Sequence, residues 1–192
     1  MGLALSLWVL LPLLGLLAWR LVPGRAPWAA TLSLRGASGR AWAGATALAL
    51  ATPLPLQGLL LPLQDRLFHA PSSLSQGMEA VLGGLPLWVL FVLGAVSPAV
   101  CEELVFRGIF LGRLRRVHGD RRAVLLSALF FGLIHLSIFR FAPTFLLGLV
   151  LGWLVVASGS ILPAMLYHLL YNGGLLLGGR WVERHGAPFD LD

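Results

Sequence analysis

Long stretches without charge are the feature that most constrains what this chain can fold into. Five of them run through its 192 residues, at 1–19, 41–64, 80–101, 123–139 and 141–179. A bilayer core about 30 Å thick is crossed by about 20 apolar residues in a helix. Each of the first four stretches is therefore predicted to form one membrane span, whereas the fifth is too long for one.

The fifth stretch is expected to fold back on itself. As a single helix rising about 1.5 Å per residue it would extend to roughly 58 Å, about twice the thickness of the bilayer core. Ser158, Gly159 and Ser160, which lie shortly before Pro163, form the turn signal within it. The sequence thus predicts an all-α fold, a polytopic transmembrane helix bundle of about six spans.

Composition and charge agree with a membrane protein. Hydrophobic residues make up 58% of the chain and charged residues 11%, against about 25% charged in soluble domains. All 14 basic residues are arginine, and ten of them cluster at 20–40 and 107–122, whereas 65–79 holds only Arg66. This alternation follows the positive-inside rule and predicts that the arginine-rich loops are cytoplasmic. We therefore expect membrane lipids as partners, and no nucleic acid.

Few ionisable residues are predicted at membrane depth, and these are the candidate functional residues. They are Glu102, Glu103, Arg107, His135 and His168. Polar groups are expensive within lipid, so an ionisable residue there indicates function by default. Counted from the cytoplasmic side at about 1.5 Å per residue, Glu102, His135 and His168 lie roughly 14 to 20 Å deep. The sequence predicts that they converge at one level of the bilayer.

Spacing along the helices suggests different roles for these residues. Glu103 and Arg107 are four apart and share a helix face, so they can form either a structural ion pair or part of a catalytic group. Glu102 points about 100° away around the helix and is the carboxylate left free to act as a general base. His168 and Asn172 also share a face, and both can donate hydrogen bonds to a developing oxyanion.

One of the two histidines is predicted to lie beside Phe131, and both are possible metal ligands. Phe131 precedes His135 by four residues, so its ring is predicted to wall the site beside that imidazole. Glu102, His135 and His168 are three ligands of the kinds that zinc accepts, with water as the fourth. The residues leave two alternatives open, a divalent metal such as zinc at this site or water activated by glutamate alone.

Three short motifs resemble those of a known family. Residues 102–108 resemble the Glu-Glu-x-x-x-Arg motif of the CAAX protease and bacteriocin-processing (CPBP, or abortive-infection) family of intramembrane proteases. Residues 131–135 are similar to the family's Phe-x-x-x-His motif, and residues 168–172 to its His-x-x-x-Asn motif. The resemblance extends over about residues 80–178, with the three motifs in the family's order.

The resemblance implies hydrolysis of a peptide bond within the membrane. Glu102 would activate a water molecule that His135 helps to hold. His168 and Asn172 would stabilise the tetrahedral oxyanion. The supporting residues would be Glu103, Arg107 and Phe131. The family is commonly called metalloprotease, which keeps a metal held by Glu102, His135 and His168 among the expectations.

The resemblance also suggests how the chain is organised. We expect an N-terminal transmembrane pair with its loops at 1–79, the catalytic CPBP-like helical core at 80–179 and a short tail at 180–192, all within one structural domain. The protein would be an integral protein of a prokaryotic cytoplasmic membrane, with its active site opening toward the cytoplasm. A chain without lysine and rich in Leu, Ala, Gly and Arg is typical of a GC-rich prokaryotic genome, so we do not expect a prenylated CAAX substrate.

Three functional hypotheses follow from this sequence. The first is an intramembrane (metallo)endopeptidase, similar to CAAX prenyl proteases, that cuts a membrane-associated peptide or protein. The second is a non-catalytic binding or immunity protein on the same scaffold. The third is a small transporter in which Glu102 and the two histidines relay protons.

Overall fold

The computed structural model describes residues 32–60 and 84–185, together with single positions at 16, 20, 62, 63 and 66. Within this part of the chain the regular structure is entirely helical, which confirms the all-α prediction. The first predicted span, residues 1–19, lies outside the described residues except at position 16.

The helices alternate between α-helical and wider π-helical segments. In chain order they are α1 (Gly39–Ala51), π1 (Leu54–Leu60), α2 (Leu87–Phe91), π2 (Val92–Val96), α3 (Ser97–Glu103), π3 (Leu104–Leu111), α4 (Gly112–Leu133), α5 (Ile138–Ser158) and α6 (Leu162–His185). The segments from α2 to α4 follow one another without a gap. Gly119 interrupts α4 with a φ of 72°, a left-handed conformation that suits glycine.

Three helical stretches of the described chain are long and apolar enough to cross a membrane. They are Gly39–Leu60, Leu87–Leu133 and Ile138–Ser158. Several of their leucines are largely exposed, such as Leu54 at 78%, as expected of side chains that face lipid. The structure thus supports an integral membrane protein, but it does not confirm the predicted count of six spans.

The predicted turn within the fifth stretch is confirmed. Helix α5 ends at Ser158, and Gly159 follows with a φ of 68° before α6 begins at Leu162. The Ser158 hydroxyl accepts a hydrogen bond from the Ser160 N–H at 3.2 Å. Arg35 braces this turn from the loop before α1, because its Nε donates to the Gly159 carbonyl at 2.5 Å.

The prediction of one continuous span over residues 123–139 is wrong. Helix α4 ends at Leu133, and a turn over residues 134–137 leads into α5. The reason lies in His135, whose imidazole Nδ1 bonds to the Phe131 carbonyl at 2.8 Å, in the place of a helical backbone N–H. The His135 N–H bonds instead to the Gly132 carbonyl at 3.3 Å, and Leu136 then adopts a φ of 48°.

Small residues bring α4 and α5 close together. Cβ atoms added to Gly148 and Gly152 would lie only 3.0 Å from atoms of Ala128 and Val124, respectively. This Gly-x-x-x-Gly spacing lets two helix backbones approach within a membrane, where packing rather than the hydrophobic effect drives association. The close approach of these helices positions the polar groups described next.

Candidate active site

Two adjacent glutamates lie at the end of α3, between the π-helical segments π2 and π3. Glu103 is completely buried and Glu102 is 8% exposed. Short π-helical insertions occur frequently at functional sites, because they change the direction in which side chains leave the helix. Together the two carboxylates form the acidic centre of the predicted site.

Glu103 is held by two partners. Its Oε1 accepts a hydrogen bond from Arg107 Nη1 at 3.0 Å, which is the ion pair that the four-residue spacing predicts. The same oxygen lies 2.9 Å from Nδ1 of His168 on α6. Because a carboxylate paired with arginine only accepts hydrogen bonds, His168 carries its proton on Nδ1. These bonds fix both the carboxylate and the imidazole.

Arg107 is buried, at 1% exposure, and joins three elements of the fold. Besides its ion pair with Glu103 on α3, its Nη2 donates to the Gly148 carbonyl of α5 at 3.3 Å. Its guanidinium carbon lies 4.2 Å from the centre of the Phe131 ring of α4, a cation–π contact. The planar guanidinium can make all of these contacts at once, which a lysine ammonium cannot do in the same geometry.

Glu102 is arranged differently from Glu103. Its Oε2 approaches His168 Nε2 at 3.9 Å, which is too long for a direct hydrogen bond. Within the described part of the chain, no group donates a hydrogen bond to this carboxylate. Glu102 therefore faces the second nitrogen of an imidazole whose first nitrogen Glu103 holds in place.

Phe131 lies between the two histidines. Its ring makes edge contacts with His135 at a centroid distance of 5.3 Å and with His168 at 6.1 Å. His135 bonds through Nδ1 to the Phe131 carbonyl, and since a carbonyl only accepts, Nε2 of a neutral His135 keeps its lone pair. Phe131 thus walls the site beside the imidazole, as its spacing predicts, although His135 lies in the turn after α4 rather than within a helix.

Asn172 has a partner that the sequence did not reveal. Its Nδ2 donates to the Gly94 carbonyl of π2 at 3.1 Å. The residue four positions after Gly94 is Pro98, which has no N–H to complete a helical hydrogen bond to that carbonyl. Asn172 therefore bonds to a carbonyl that cannot receive an i+4 backbone hydrogen bond from Pro98, and its second amide hydrogen is available for other chemistry. The Gly94–Pro98 spacing is the sequence signal that could have indicated this contact.

The described residues do not bring the three predicted metal ligands into one compact group. Across the described residues, no three His, Cys, Asp or Glu side chains form a group that could hold a metal ion. Glu102 and His168 approach one another, and each histidine bonds through Nδ1 to a carboxylate or a carbonyl, which leaves Nε2 as the nitrogen that could bind a metal. A metal at this site stays a prediction, and the reaction proposed below does not depend on one.

The structure brings most of the predicted site residues together around Glu103 and Phe131. Glu102, Glu103, Arg107 and His168 interact directly, and Phe131 contacts both His135 and His168. Asn172 lies one helical turn beyond His168 and bonds toward π2. Three participants were not predicted from the sequence. They are Gly94, Pro98 and Gly148.

Comparison with known proteins found similarity to one family. Residues 84–174 match the family described as type II CAAX prenyl endopeptidase, Rce1-like. The matched region covers slightly less than half of the chain. The matched region begins just before α2 and ends within α6, so it includes every residue of the site described above. Searches of curated proteins and of solved structures each found no match.

The similarity to the Rce1-like family agrees with the resemblance seen in the three motifs. The family's description implies protease activity in general, and hence a peptide or protein substrate. Together with the apolar helices, it supports an integral membrane protease.

Proposed function

We propose that this protein is an intramembrane endopeptidase that hydrolyses a peptide bond of a membrane-associated substrate by means of a water molecule activated by Glu102. The similarity of residues 84–174 to the Rce1-like family supports the reaction class. The finer points, which are the bond cleaved, the roles of individual residues and the absence of a required metal, are proposed from the geometry of the site.

One observation carries the proposal, namely the different surroundings of the two glutamates. Glu103 is fully buried and bonded to Arg107 and His168, so its carboxylate is committed to structure. Glu102 accepts no hydrogen bond from the described residues and faces His168 Nε2 at 3.9 Å. A general base must be within reach of the proton that it removes and must have a lone pair to receive it. Glu102 meets this requirement at a partly accessible position, whereas Glu103 is completely buried and held by Arg107 and His168.

The proposed reaction follows from this difference. Glu102 accepts a proton from water while the water oxygen bonds to the carbonyl carbon of the scissile peptide. The carbonyl π electrons move to oxygen and form a tetrahedral oxyanion. When the oxyanion collapses, the C–N bond breaks, and Glu102 returns the proton to the departing amine. The products are a carboxylic acid and an amine, and the enzyme regains its starting state.

Neighbouring groups are placed to assist these reaction steps. His135 offers Nε2 to hold the attacking water. We assign His168, held by Glu103, as a donor from Nε2 to the developing oxyanion whenever both ring nitrogens carry a proton, with the second amide hydrogen of Asn172 as a further donor. Donors fixed before the reaction stabilise a developing charge without the cost of reorganisation. The bonds of His168 to Glu103 and of Asn172 to Gly94 provide such fixation.

The proposal is tested by cleavage of a library of membrane-compatible peptides by purified protein in lipid nanodiscs, with the reaction run in water enriched in ¹⁸O. Wild type should release new carboxyl termini that carry ¹⁸O. Glu102→Gln keeps the size and the burial but removes the base, and it should lower cleavage by at least about 100-fold. Asp120→Asn, a change to an exposed carboxylate paired with Arg115, is the matched control and should cleave like wild type.

The other outcomes separate the alternatives. Cleavage at an unchanged rate by Glu102→Gln would refute the assignment of the base. If neither protein cleaves while both bind the same peptide equally, the site belongs to a binding or immunity protein. Repeating the assay with a chelator tests whether cleavage requires a metal, because a water molecule activated by glutamate alone needs none. Activity that is lost on chelation and restored by zinc would overturn the metal-free mechanism.

A further inference from the structure

A hydrogen bond between the end of α1 and the middle of α6 reaches the helix of His168 from outside the candidate site. The hydroxyl of Thr52, the residue that follows α1, lies 2.6 Å from the phenol oxygen of Tyr167 on α6. Neither residue belongs to the three motifs, and the reaction proposed above uses neither. Thr52 also precedes the region that matches the Rce1-like family. The bond therefore connects the candidate site to a helix outside the matched region.

The direction of this hydrogen bond follows from the other partner of Thr52. The Thr52 hydroxyl lies 2.8 Å from the Leu48 carbonyl, and a carbonyl can only accept. A hydroxyl has one hydrogen to donate, so Thr52 gives its hydrogen to Leu48 and accepts the O–H of Tyr167. The phenol of Tyr167 is thus a donor with one defined acceptor on α1.

Tyr167 depends on this partner because its side chain is completely buried. A hydroxyl that is buried without a partner loses its bonds to water and gains none. Hydrogen bonds between side chains hold helices together within a membrane. Helix α1 packs mainly against α6, and Ala45 and Ala49, which share a face of α1 with Thr52, are buried. The bond therefore joins two helices that are already in close contact.

Tyr167 and His168 are adjacent and hold α6 from two directions. Successive residues of a helix point about 100° apart. In one direction, Tyr167 bonds to Thr52, and its ring stacks on that of Tyr171 with 6.0 Å between the centroids. In the other direction, His168 bonds to Glu103 at 2.9 Å. Bonds in two directions fix the rotation of a helix about its own axis.

The rotation of α6 determines where its polar groups lie in the site. His168 Nε2 is 3.9 Å from Glu102 Oε2, and Asn172 extends from the same face of α6 one turn later. Side-chain atoms lie about 5–6 Å from a helix axis, so a rotation of about 10° displaces them by about 1 Å. A displacement of this size can lower the rate of a reaction by up to about 100-fold.

We propose that Thr52 and Tyr167 are positioning residues, which fix the rotation of α6 and thereby hold His168 and Asn172 where they stabilise the oxyanion. This inference rests on the proposed function, because it assigns a task within that reaction. Both residues act through α6, and neither takes part in the transfer of protons. The inference also makes α1, which lies outside the matched region, a part of the machinery for cleavage.

The test removes the hydrogen bond with little change in side-chain shape. Thr52→Val and Tyr167→Phe each delete one hydroxyl, whereas Thr52→Ser keeps it. On the library peptide that wild type cleaves fastest, each deletion should lower kcat by about tenfold or more and leave KM within about twofold. Thr52→Ser should keep kcat close to that of wild type. Thr46→Val is the matched control, because the Thr46 hydroxyl bonds within α1 to the Trp42 carbonyl at 3.0 Å, and its loss should leave kcat unchanged.

A second measurement separates positioning from a loss of folded protein. A phosphonate analogue of the same peptide, whose tetrahedral group carries negative oxygens like those of the oxyanion, is titrated into each variant. Thr52→Val and Tyr167→Phe should bind it about tenfold more weakly and at unchanged stoichiometry, because the donors are displaced in sites that remain folded. Unchanged affinity at a lower stoichiometry would overturn the inference, since the bond would then only support folding.

The double variant of Thr52→Val and Tyr167→Phe completes the test. It should lower kcat no further than either single change, because both changes remove the same hydrogen bond. The inference is wrong if the two effects multiply, or if either single variant cleaves like Thr46→Val. Failure of the proposed function would look different, because wild type would then cleave no peptide, and the inference would fall with it.

Discussion

Arg107 shows how the protein accommodates a full charge among apolar helices. Its guanidinium pairs with Glu103, donates to the Gly148 carbonyl and lies over the Phe131 ring. A buried ion pair contributes little net stability compared with apolar residues, because both charges lose their hydration. Removal of only one partner is far more costly, since it leaves the other charge buried and uncompensated.

Arg107→Leu should therefore destabilise the protein by about 3–5 kcal/mol. The measurement is the free energy of unfolding in mixed detergent micelles. Arg115→Leu is the control, because Arg115 forms an exposed pair with Asp120 at 2.7 Å, and loss of an exposed pair costs at most about 1 kcal/mol. Equal effects of the two substitutions would contradict a structural role for the Glu103–Arg107 pair.

At the scale of the helices, Asn172 of α6 contacts π2 close to Pro98. Asn172 is also a predicted catalytic residue. Pro98 offers no N–H to Gly94, and the Asn172 amide reaches that carbonyl from α6. Asn172 could thus matter because it bonds to the helix of Glu102, because it donates to the oxyanion, or for both reasons. Substitution of Asn172 alone does not separate these roles.

A double-mutant cycle with Pro98→Ala separates them. Asn172→Ala should cost about 1 kcal/mol of stability in the wild-type background, and clearly less in the Pro98→Ala background, where the new alanine supplies a backbone N–H to the Gly94 carbonyl. Cleavage should stay low in the double variant if Asn172 also donates to the oxyanion. Full recovery of cleavage together with stability would show that its role is structural alone. Equal costs of Asn172→Ala in both backgrounds would contradict the link to Pro98.

The packing of α4 against α5 depends on the absence of side chains at two glycines. A Cβ at position 148 would lie 3.0 Å from the Cα of Ala128, and a backbone atom cannot move aside without a shift of the helix. Gly148→Ala should therefore destabilise the protein by about 1–3 kcal/mol and lower its melting temperature in detergent. Gly174→Ala is the control, because no atom lies within 4 Å of its added Cβ. A melting temperature that is equal in both variants would refute this close packing.

For the molecule as a whole, the sequence predicted what local spacing and membrane energetics determine. The Glu103–Arg107 pair follows from a helical period, the Phe131–His135 contact from a four-residue separation, and the turn at Gly159 from the length of an uncharged stretch. Contacts between segments that are distant in the sequence could not be predicted from local spacing. The bond between Glu103 and His168 joins residues 65 positions apart.

The end of α4 was also mispredicted for a physical reason. Residues 131–139 carry no Asp, Glu, Lys or Arg and no proline, and the glycine among them lies before the turn, so the sequence holds no ordinary breaking signal. The helix ends because the side chain of His135 takes the Phe131 carbonyl that a backbone N–H would otherwise use. A competition of this kind depends on the rotamer of one side chain, which a hydropathy pattern does not reveal.

The shortened helix makes a prediction about topology. Residues 120–133 rise about 21 Å, less than the bilayer core of about 30 Å, so the turn at 134–137 should remain within the membrane. In a Cys101→Ala background, a cysteine at His118→Cys should react with a membrane-impermeant maleimide only after the cytoplasmic side is opened. Leu136→Cys should stay unreactive from both sides, although Leu136 is 93% exposed.

Two results would contradict this topology. Labelling of His118→Cys in intact cells would place the arginine-rich loop outside. Rapid labelling of Leu136→Cys from the exterior would mean that the turn reaches the far surface.

The central claim is that two adjacent glutamates have separate functions, with Glu102 as the base and Glu103 as the group that fixes Arg107 and His168. The most direct measurement is the cleavage rate and the unfolding free energy of Glu102→Gln and Glu103→Gln, determined on the same peptide and in the same nanodiscs. We expect Glu102→Gln to abolish cleavage while its stability remains within about 1 kcal/mol of wild type, and Glu103→Gln to lose about 3 kcal/mol or more. A Glu102→Gln variant that still cleaves, or that unfolds as readily as Glu103→Gln, would contradict the account.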